Sequence, residues 1–275
     1  MLAFSPPVRI LDGLGFPEGI NFGPDGTLYC VDIYRGNVCI MPPRGELEVL
    51  VHTGGGPNGS RLGPDGKLYV ADNGLRAILC VDPQTRSWEV VVDEYEGRRF
   101  LGPNDLCFAA DGTLYFTDPM GSNPSNPIGC VYSLSPQGEL RRVIAGLAFP
   151  NGIAITPDGG ELLVAETHTG ILHRYALQQD GTVLEVAPLA KLSPASDNSS
   201  GRECGPDGIR FGPDGRLYVA HFGAGVVQVL TLEGEIVCSI PSGGPTPTNL
   251  AFWRDALYVT DGTAGSIFRI PLRRS

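Results

Sequence analysis

Nowhere in the 275 residues do apolar side chains recur at helical spacing, which leaves no helical segment to compete with an all-β reading. No apolar run is long enough to cross a bilayer. The N-terminal stretch Met1–Ile10 carries prolines at 6 and 7 and lacks the apolar core of a signal peptide, so cytoplasmic residence is the default expectation. Positive charge is in short supply: 20 Lys and Arg face 30 Asp and Glu, for a net charge of −10. That balance argues against nucleic acid and against an anionic membrane as partner, and does not oppose cation binding. Seven cysteines are present, an odd number with no C-x-x-C pair. They read as buried free thiols rather than as disulfides or a thiolate metal site.

Glycine (38) and proline (24) are abundant, yet no low-complexity tract holds them. They mark repeated turns. One short phrase occurs six times: Phe16-Pro17-Glu18-Gly19, Gly56-Pro57-Asn58-Gly59, Gly102-Pro103-Asn104-Asp105, Phe149-Pro150-Asn151-Gly152, Gly205-Pro206-Asp207-Gly208 and Thr246-Pro247-Thr248-Asn249. The proline is constant, and the slot after it reads Glu, Asn, Asn, Asn, Asp, Thr.

Each copy continues with an alternating strand, a turn and a Leu-Tyr-Val-type strand. The turns include Pro24-Asp25-Gly26, Pro64-Asp65-Gly66, Ala110-Asp111-Gly112, Pro157-Asp158-Gly159 and Pro213-Asp214-Gly215. Asp-Gly between alternating runs is a strong hairpin signal, because glycine accepts the positive φ required. Third strands follow at Asn37–Met41, Ala77–Val81, Cys130–Leu134, Ile171–Ala176, Val226–Leu230 and Ser266–Pro271. Fourth strands follow in five copies, at Leu47–His52, Trp88–Val92, Leu140–Ile144, Val183–Ala187 and Ile236–Ile240. The sixth copy has only three, and Val8–Leu14 stands unpaired before the first. The expectation is one domain over residues 1–275: a six-bladed β-propeller with four antiparallel strands per blade, closed by the N-terminal strand completing the last blade.

Strand direction places the slots on one face, at the start of each innermost strand. The connections that vary in length, Asp93–Leu101, Met120–Gly129 and Lys191–Glu203, fall on that same face. Elaborated loops on one face of a rigid scaffold are where function usually sits.

The slots bring Glu18 and Asp207 toward a common axis. Two carboxylates ~5 Å apart at an effective dielectric of ~20 repel by roughly 3 kcal/mol. A shared proton, an arginine or a cation would relieve that, and no slot carries Arg or Lys. Hard oxygen donors with amides from Asn104 and Asn151 suit Ca²⁺, other divalent cations being admissible, and the absence of His and Cys argues against zinc. Asn and Asp beside glycine are also ordinary turn residues. A turn role, however, predicts one residue type in every copy, whereas the slot keeps its place and changes its chemistry. The acids ending the second strands, Asp32, Asp72, Asp118, Glu166 and Asp261, with His221 in the remaining copy, show the constant pattern and read as structural.

Several of these segments resemble the regucalcin–gluconolactonase family of six-bladed propellers, which includes diisopropyl fluorophosphatase-like enzymes. They are Tyr95-Glu96-Gly97-Arg98-Arg99 leading to Pro103-Asn104-Asp105, Leu114-Tyr115-Phe116-Thr117-Asp118-Pro119, Phe149-Pro150-Asn151-Gly152-Ile153 and Pro206-Asp207-Gly208. The resemblance implies a central Ca²⁺ held by Glu18, Asn104, Asn151 and Asp207, with Asn104 as ligand or substrate contact. It also implies Asp207 as general base or nucleophile in the hydrolysis of a lactone or ester. Asn58 and Thr248 fill the remaining slots as substrate-side residues. Regucalcin-type sugar lactonases carry an arginine where this chain has Gly102; Arg99 is within reach from the preceding loop. His168 and His221 lie on the slot face as auxiliary acid–base or substrate-binding candidates, with backbone-bonded histidine as the plainer alternative. Tyr34, Met120 and Phe222 are candidate pocket walls by position. Two other functions use the same residues: phosphotriester or fluorophosphate hydrolysis at the same metal, and a non-catalytic calcium-binding propeller. The outer strands carry no clear apolar stripe from which an oligomer could be read.

Overall fold

A computed structural model describes residues 2–192 and 204–273. The variable connection at 191–203 therefore lies, from 193 on, outside the described residues. Six four-stranded antiparallel sheets stand around one axis as a six-bladed β-propeller. Their innermost strands are Pro17–Phe22, Pro57–Leu62, Leu106–Phe108, Pro150–Ile155, Gly205–Phe211 and Pro247–Trp253, here blades 1 to 6 in order. Val8–Leu11 pairs with Ser266–Pro271 and becomes the outer strand of blade 6, so the two ends of the chain are joined in one sheet. Among the described residues no helix is long and apolar enough to cross a membrane.

The expected strands form with small changes of boundary. The outer strand of blade 4 divides into Val183–Glu185 and Ala190–Lys191, both paired with Ile171–Leu177. Pro188, which has no N–H to give the ladder, sits in the gap. The Asp-Gly turns close as hairpins: Gly26 N donates to Gly23 O at 3.0 Å, and the side chain of Asp25 accepts from Thr27 N at 3.0 Å. The variable connection Asp93–Leu101 holds a small hairpin of its own, Glu94–Tyr95 against Arg98–Arg99.

Apolar burial lies between neighbouring blades rather than in a single central core. Val31 and Val38 of blade 1 pack on Leu68 and Leu79 of blade 2, and equivalent clusters fill the other five interfaces. The sixth cluster packs Ile267 of blade 6 on Ile20 and Leu28 of blade 1, which closes the ring. Hydroxyls of one blade bond the inner strand of the next. Thr117 donates to Asn151 O at 2.9 Å, Thr167 to Pro206 O at 2.8 Å and Thr248 to Pro17 O at 2.8 Å.

The glycine after the slot packs hard against the backbone of the next blade. A Cβ on Gly152 would collide with the carbonyl oxygen of Asp207 and stand 2.7 Å from Ile209 N, both backbone atoms of the next blade that cannot swing aside. Gly152→Ala is therefore expected to destabilise the protein by about 3 kcal/mol, at the upper end of overpacking costs. Denaturant unfolding would show it against Gly160→Ala, whose Cβ comes no closer than 3.4 Å to the Asp158 side chain.

Candidate functional site

Two devices hold the slots in place. The first is the acid that ends each second strand. Asp32 accepts from Gly15 N (2.8 Å) and Phe16 N (3.1 Å), Asp72 from Gly56 N (2.8 Å), and Asp118 from Leu101 N (2.9 Å) and Gly102 N (2.6 Å). Glu166 accepts from Ala148 N (2.9 Å) and Asp261 from Thr246 N (2.7 Å). Each acid therefore clamps the backbone just ahead of a slot proline. In blade 5 His221 takes that position; it is buried, its Nε2 lies 3.5 Å from Cys204 Sγ, and burial pushes its pKa down.

The second device is a bulge. In blade 5, Pro206 faces His221 and Ile209 faces Val219, so three steps on the inner strand match two on its neighbour. The same extra residue occurs at the slots of blades 1, 2, 4 and 6. A bulge re-aims side chains that strict alternation would send to opposite faces.

The result is one cavity of about 150 Å³ at the mouth of the axis. Five slot side chains line it: Glu18, Asn58, Asn104, Asn151 and Asp207. All are buried, with between 4% and 9% of their surface exposed. Phe16, Ile33, Met120, Phe149 and Phe222 supply apolar wall, and Thr167 adds a hydroxyl that accepts from Asn151 Nδ2 at 3.1 Å. Among the described residues no group of three or more His, Cys, Asp and Glu side chains is placed to hold a metal ion; the mouth offers two carboxylates and three amides.

The remaining candidates lie elsewhere. The Thr248 hydroxyl is too short to reach the cavity and is turned to Pro17 O and to Thr260 Oγ1, each at 2.8 Å. Arg99 belongs to the blade 3 hairpin, where it pairs with Asp93 at 2.5 Å, donates to Leu75 O and borders a separate cavity of about 670 Å³. His168 stacks behind the cavity wall, its ring 4.7 Å from that of Phe149. His221 is held within blade 5 as described. Tyr34 is 75% exposed and only braces Phe16 from outside.

Beneath the slots the axis carries charge that had not been assigned a role. Position +1 after the slot is glycine in four copies, but Asp105 in blade 3 and Asn249 in blade 6. Asn249 Nδ2 donates to Glu18 Oε2 at 2.8 Å, and Gly19 N donates to the same oxygen at 2.5 Å. Asp105 Oδ2 lies 3.2 Å from Nη1 of Arg210, a residue of blade 5. A bond between non-adjacent blades can form only across the axis. Arg61 of blade 2 donates from Nε to Leu106 O at 3.1 Å and from Nη1 to Asn21 Oδ1 at 3.3 Å.

This arrangement sets the protonation of Glu18. Burial, then the nearby Asp105 carboxylate, pushes its pKa from 4.5 up to about 8, against the donors on Oε2 and the charge of Arg210. Arg61 is pushed down to about 9 by burial and then by Arg210. A buried carboxyl that resists ionisation, set among neutral oxygen donors, is what a site built for a hard divalent cation looks like without its charge. The donor set fits such an ion.

Comparison with known proteins agrees with this architecture. A 186-residue segment is 37% identical to a gluconolactonase of Zymomonas mobilis, covering 64% of this chain and 51% of that protein. The chain thus spans about half the length of that relative. A lactonase drp35 of Staphylococcus epidermidis is 31% identical over 83% of this chain and 70% of its own length. A solved gluconolactonase from Xanthomonas campestris superposes with a TM-score of 0.83 at 26% identity, covering 97% of this chain and 89% of that one. A family model described as SMP-30/Gluconolactonase/LRE-like region matches residues 10–263, and the chain belongs to that family.

Proposed function

We propose that this protein is a divalent-cation-dependent hydrolase that opens a lactone, with Ca²⁺ as the cation and Asp207 as general base or nucleophile. The observation that carries the reading is the convergence of five oxygen-bearing side chains from five blades on one cavity, in a chain whose relatives include proteins named gluconolactonase and lactonase. Glu18, Asn104, Asn151 and Asp207 would hold the ion, and Asn58 would face the substrate. When bound, the ion supplies Lewis-acid polarisation of the lactone carbonyl and charge to offset the developing oxyanion.

The rest is done by the chain. Asn249 and Gly19 N fix Glu18 Oε2 and so hold the carboxyl group at the cavity. The Asp207 carboxylate takes the proton of an attacking water, or attacks the carbonyl carbon itself. Phe16, Phe149 and Phe222 pack against the ring and keep bulk water from the reacting atoms. At about 150 Å³ the cavity is smaller than the ~300–1,000 Å³ typical of drug-sized ligand sites, which favours a compact ring.

The test is hydrolysis of γ- and δ-lactones, followed by acid release, beside an activated phosphotriester. Faster turnover of a lactone that disappears with EDTA supports the proposal; preference for the phosphotriester, or no turnover of either, counts against it. A second expectation follows from Glu18. Its pKa of about 8 means that it carries a proton at pH 7, so cation binding must expel close to one proton per ion. Calorimetric titration with Ca²⁺ in buffers of different ionisation enthalpy measures that number, and a value near zero would contradict the assignment of Glu18 as ligand.

A further inference from the structure

Arg61 and Arg210 occupy the same repeat position, three residues after the slot, in blades 2 and 5, which stand opposite one another in a ring of six. The other blades place Asn21, Cys107, Ala154 and Ala251 there. Along an inner strand this position lies roughly 7–10 Å below the slot, at ~3.3 Å per residue with one residue taken up by the bulge. Asp105 and Asn249 stand between the two tiers. The arginine pair is thus separate from the cavity at the mouth.

The charges of this lower tier do not balance. Asp105 is the carboxylate that pairs with it, through Arg210 Nη1 at 3.2 Å. Nη1 also donates to Ile209 O at 2.6 Å. Arg61 finds only neutral acceptors, Leu106 O and Asn21 Oδ1. Two guanidinium groups therefore face one carboxylate. Within this tier one guanidinium has no carboxylate partner, in a buried place where an unmatched charge is costly.

Arg210 carries the donors that a counter-charge would need. Arg210 has 11% of its side chain exposed, and its Nε and Nη2 are fully buried and reach no acceptor among the described residues. These two N–H groups are the side-on fork of the guanidinium, which takes a small planar oxyanion or a halide in a bidentate grip.

We infer that the lower channel binds one small monovalent anion, a halide or an oxyanion of nitrate size, on the Arg210 fork with Arg61 opposite. The inference does not depend on what the mouth of the channel turns over.

Crystals of the full chain grown with Ca²⁺ and soaked in sodium bromide test it by anomalous diffraction at the bromine edge. The expected result is a bromine peak about 3.3 Å from both Arg210 Nε and Nη2, at the hydrogen-bonding reach of an N–H donor to a large anion. It should be absent from Arg210→Gln crystals soaked alike. A water molecule on the fork, or bromide confined to surface residues as an adventitious ion only, overturns the inference. In solution, replacing methanesulfonate by bromide at constant ionic strength should raise the Tm of the wild type by several degrees and leave Arg210→Gln unmoved. Equal Tm values for the wild type in the two salts overturn it as well. Should Arg210→Gln fail to fold, the wild-type bromine map decides alone.

Discussion

Asp207→Asn is expected to lower kcat for lactone hydrolysis by about 10²–10⁴-fold, the range for loss of a positioned acid–base group. The substitution keeps the size of the side chain and an oxygen toward the cavity, so the bulge, the Thr167 bond to Pro206 O and the inter-blade core stay as they are. What it removes is basicity and one negative charge. If Asp207 served only as a ligand, the loss would appear as weakened cation affinity and kcat would recover at saturating Ca²⁺. The account predicts that kcat stays low at saturation while Tm changes little. A variant that keeps more than a third of wild-type kcat at saturating cation would remove Asp207 from the chemistry.

Glu18→Gln separates stability from function in the opposite sense. Loss of the carboxylate leaves a divalent ion with one charge too few, and breaking such a buried partnership costs about 3–5 kcal/mol, on the order of 10²–10⁴-fold in affinity. The ion-free protein should nonetheless gain. Glu18 is a carboxyl whose folded pKa, about 8, stands above its unfolded value of 4.5. Its favourable contribution is complete below pH 4.5, because both states are then protonated. It is lost as pH rises toward 8, because the unfolded chain ionises freely and the folded one does not. The loss is on the order of a few kcal/mol. In EDTA, the wild-type Tm should therefore fall between pH 5 and 8 while that of Glu18→Gln stays nearly level, and Ca²⁺ should restore only the wild type. Parallel pH profiles for the two proteins in EDTA would show that Glu18 ionises without penalty.

The repeat made much of this legible beforehand. Six copies of one phrase fixed the number of blades, and the missing fourth strand in the last copy pointed to Val8–Leu14, of which Val8–Leu11 forms the closing strand. The constant acids proved to bond backbone, and five of the six slots share one cavity. The misses have physical causes. Alternation along a strand sends neighbouring side chains to opposite faces, so the residue after the slot reads as pointing away from the axis. In blade 6 the bulge breaks that alternation and Asn249 joins the axial cluster; in blade 3 Asp105 stands directly ahead of the inner strand Leu106–Phe108 and reaches Arg210. Their signal was present in the repeat all along: they replace the glycine of the other four copies. Phe16 and Phe149 likewise stand two residues before the slot where other copies have Gly or Thr, and both became cavity wall. Thr248 and Arg99 were chosen by position, and local bonds decided otherwise. A short hydroxyl found the neighbouring carbonyl, and a long guanidinium found Asp93 within its own hairpin.

The central claim is that oxygen donors from separate blades hold one divalent cation on which turnover depends. Lactone hydrolysis by EDTA-stripped enzyme, titrated with Ca²⁺ at protein concentrations well above its Kd, tests it most directly. The account predicts no activity at the start and a linear return that breaks at one equivalent per chain. Full activity before any Ca²⁺ is added would contradict it.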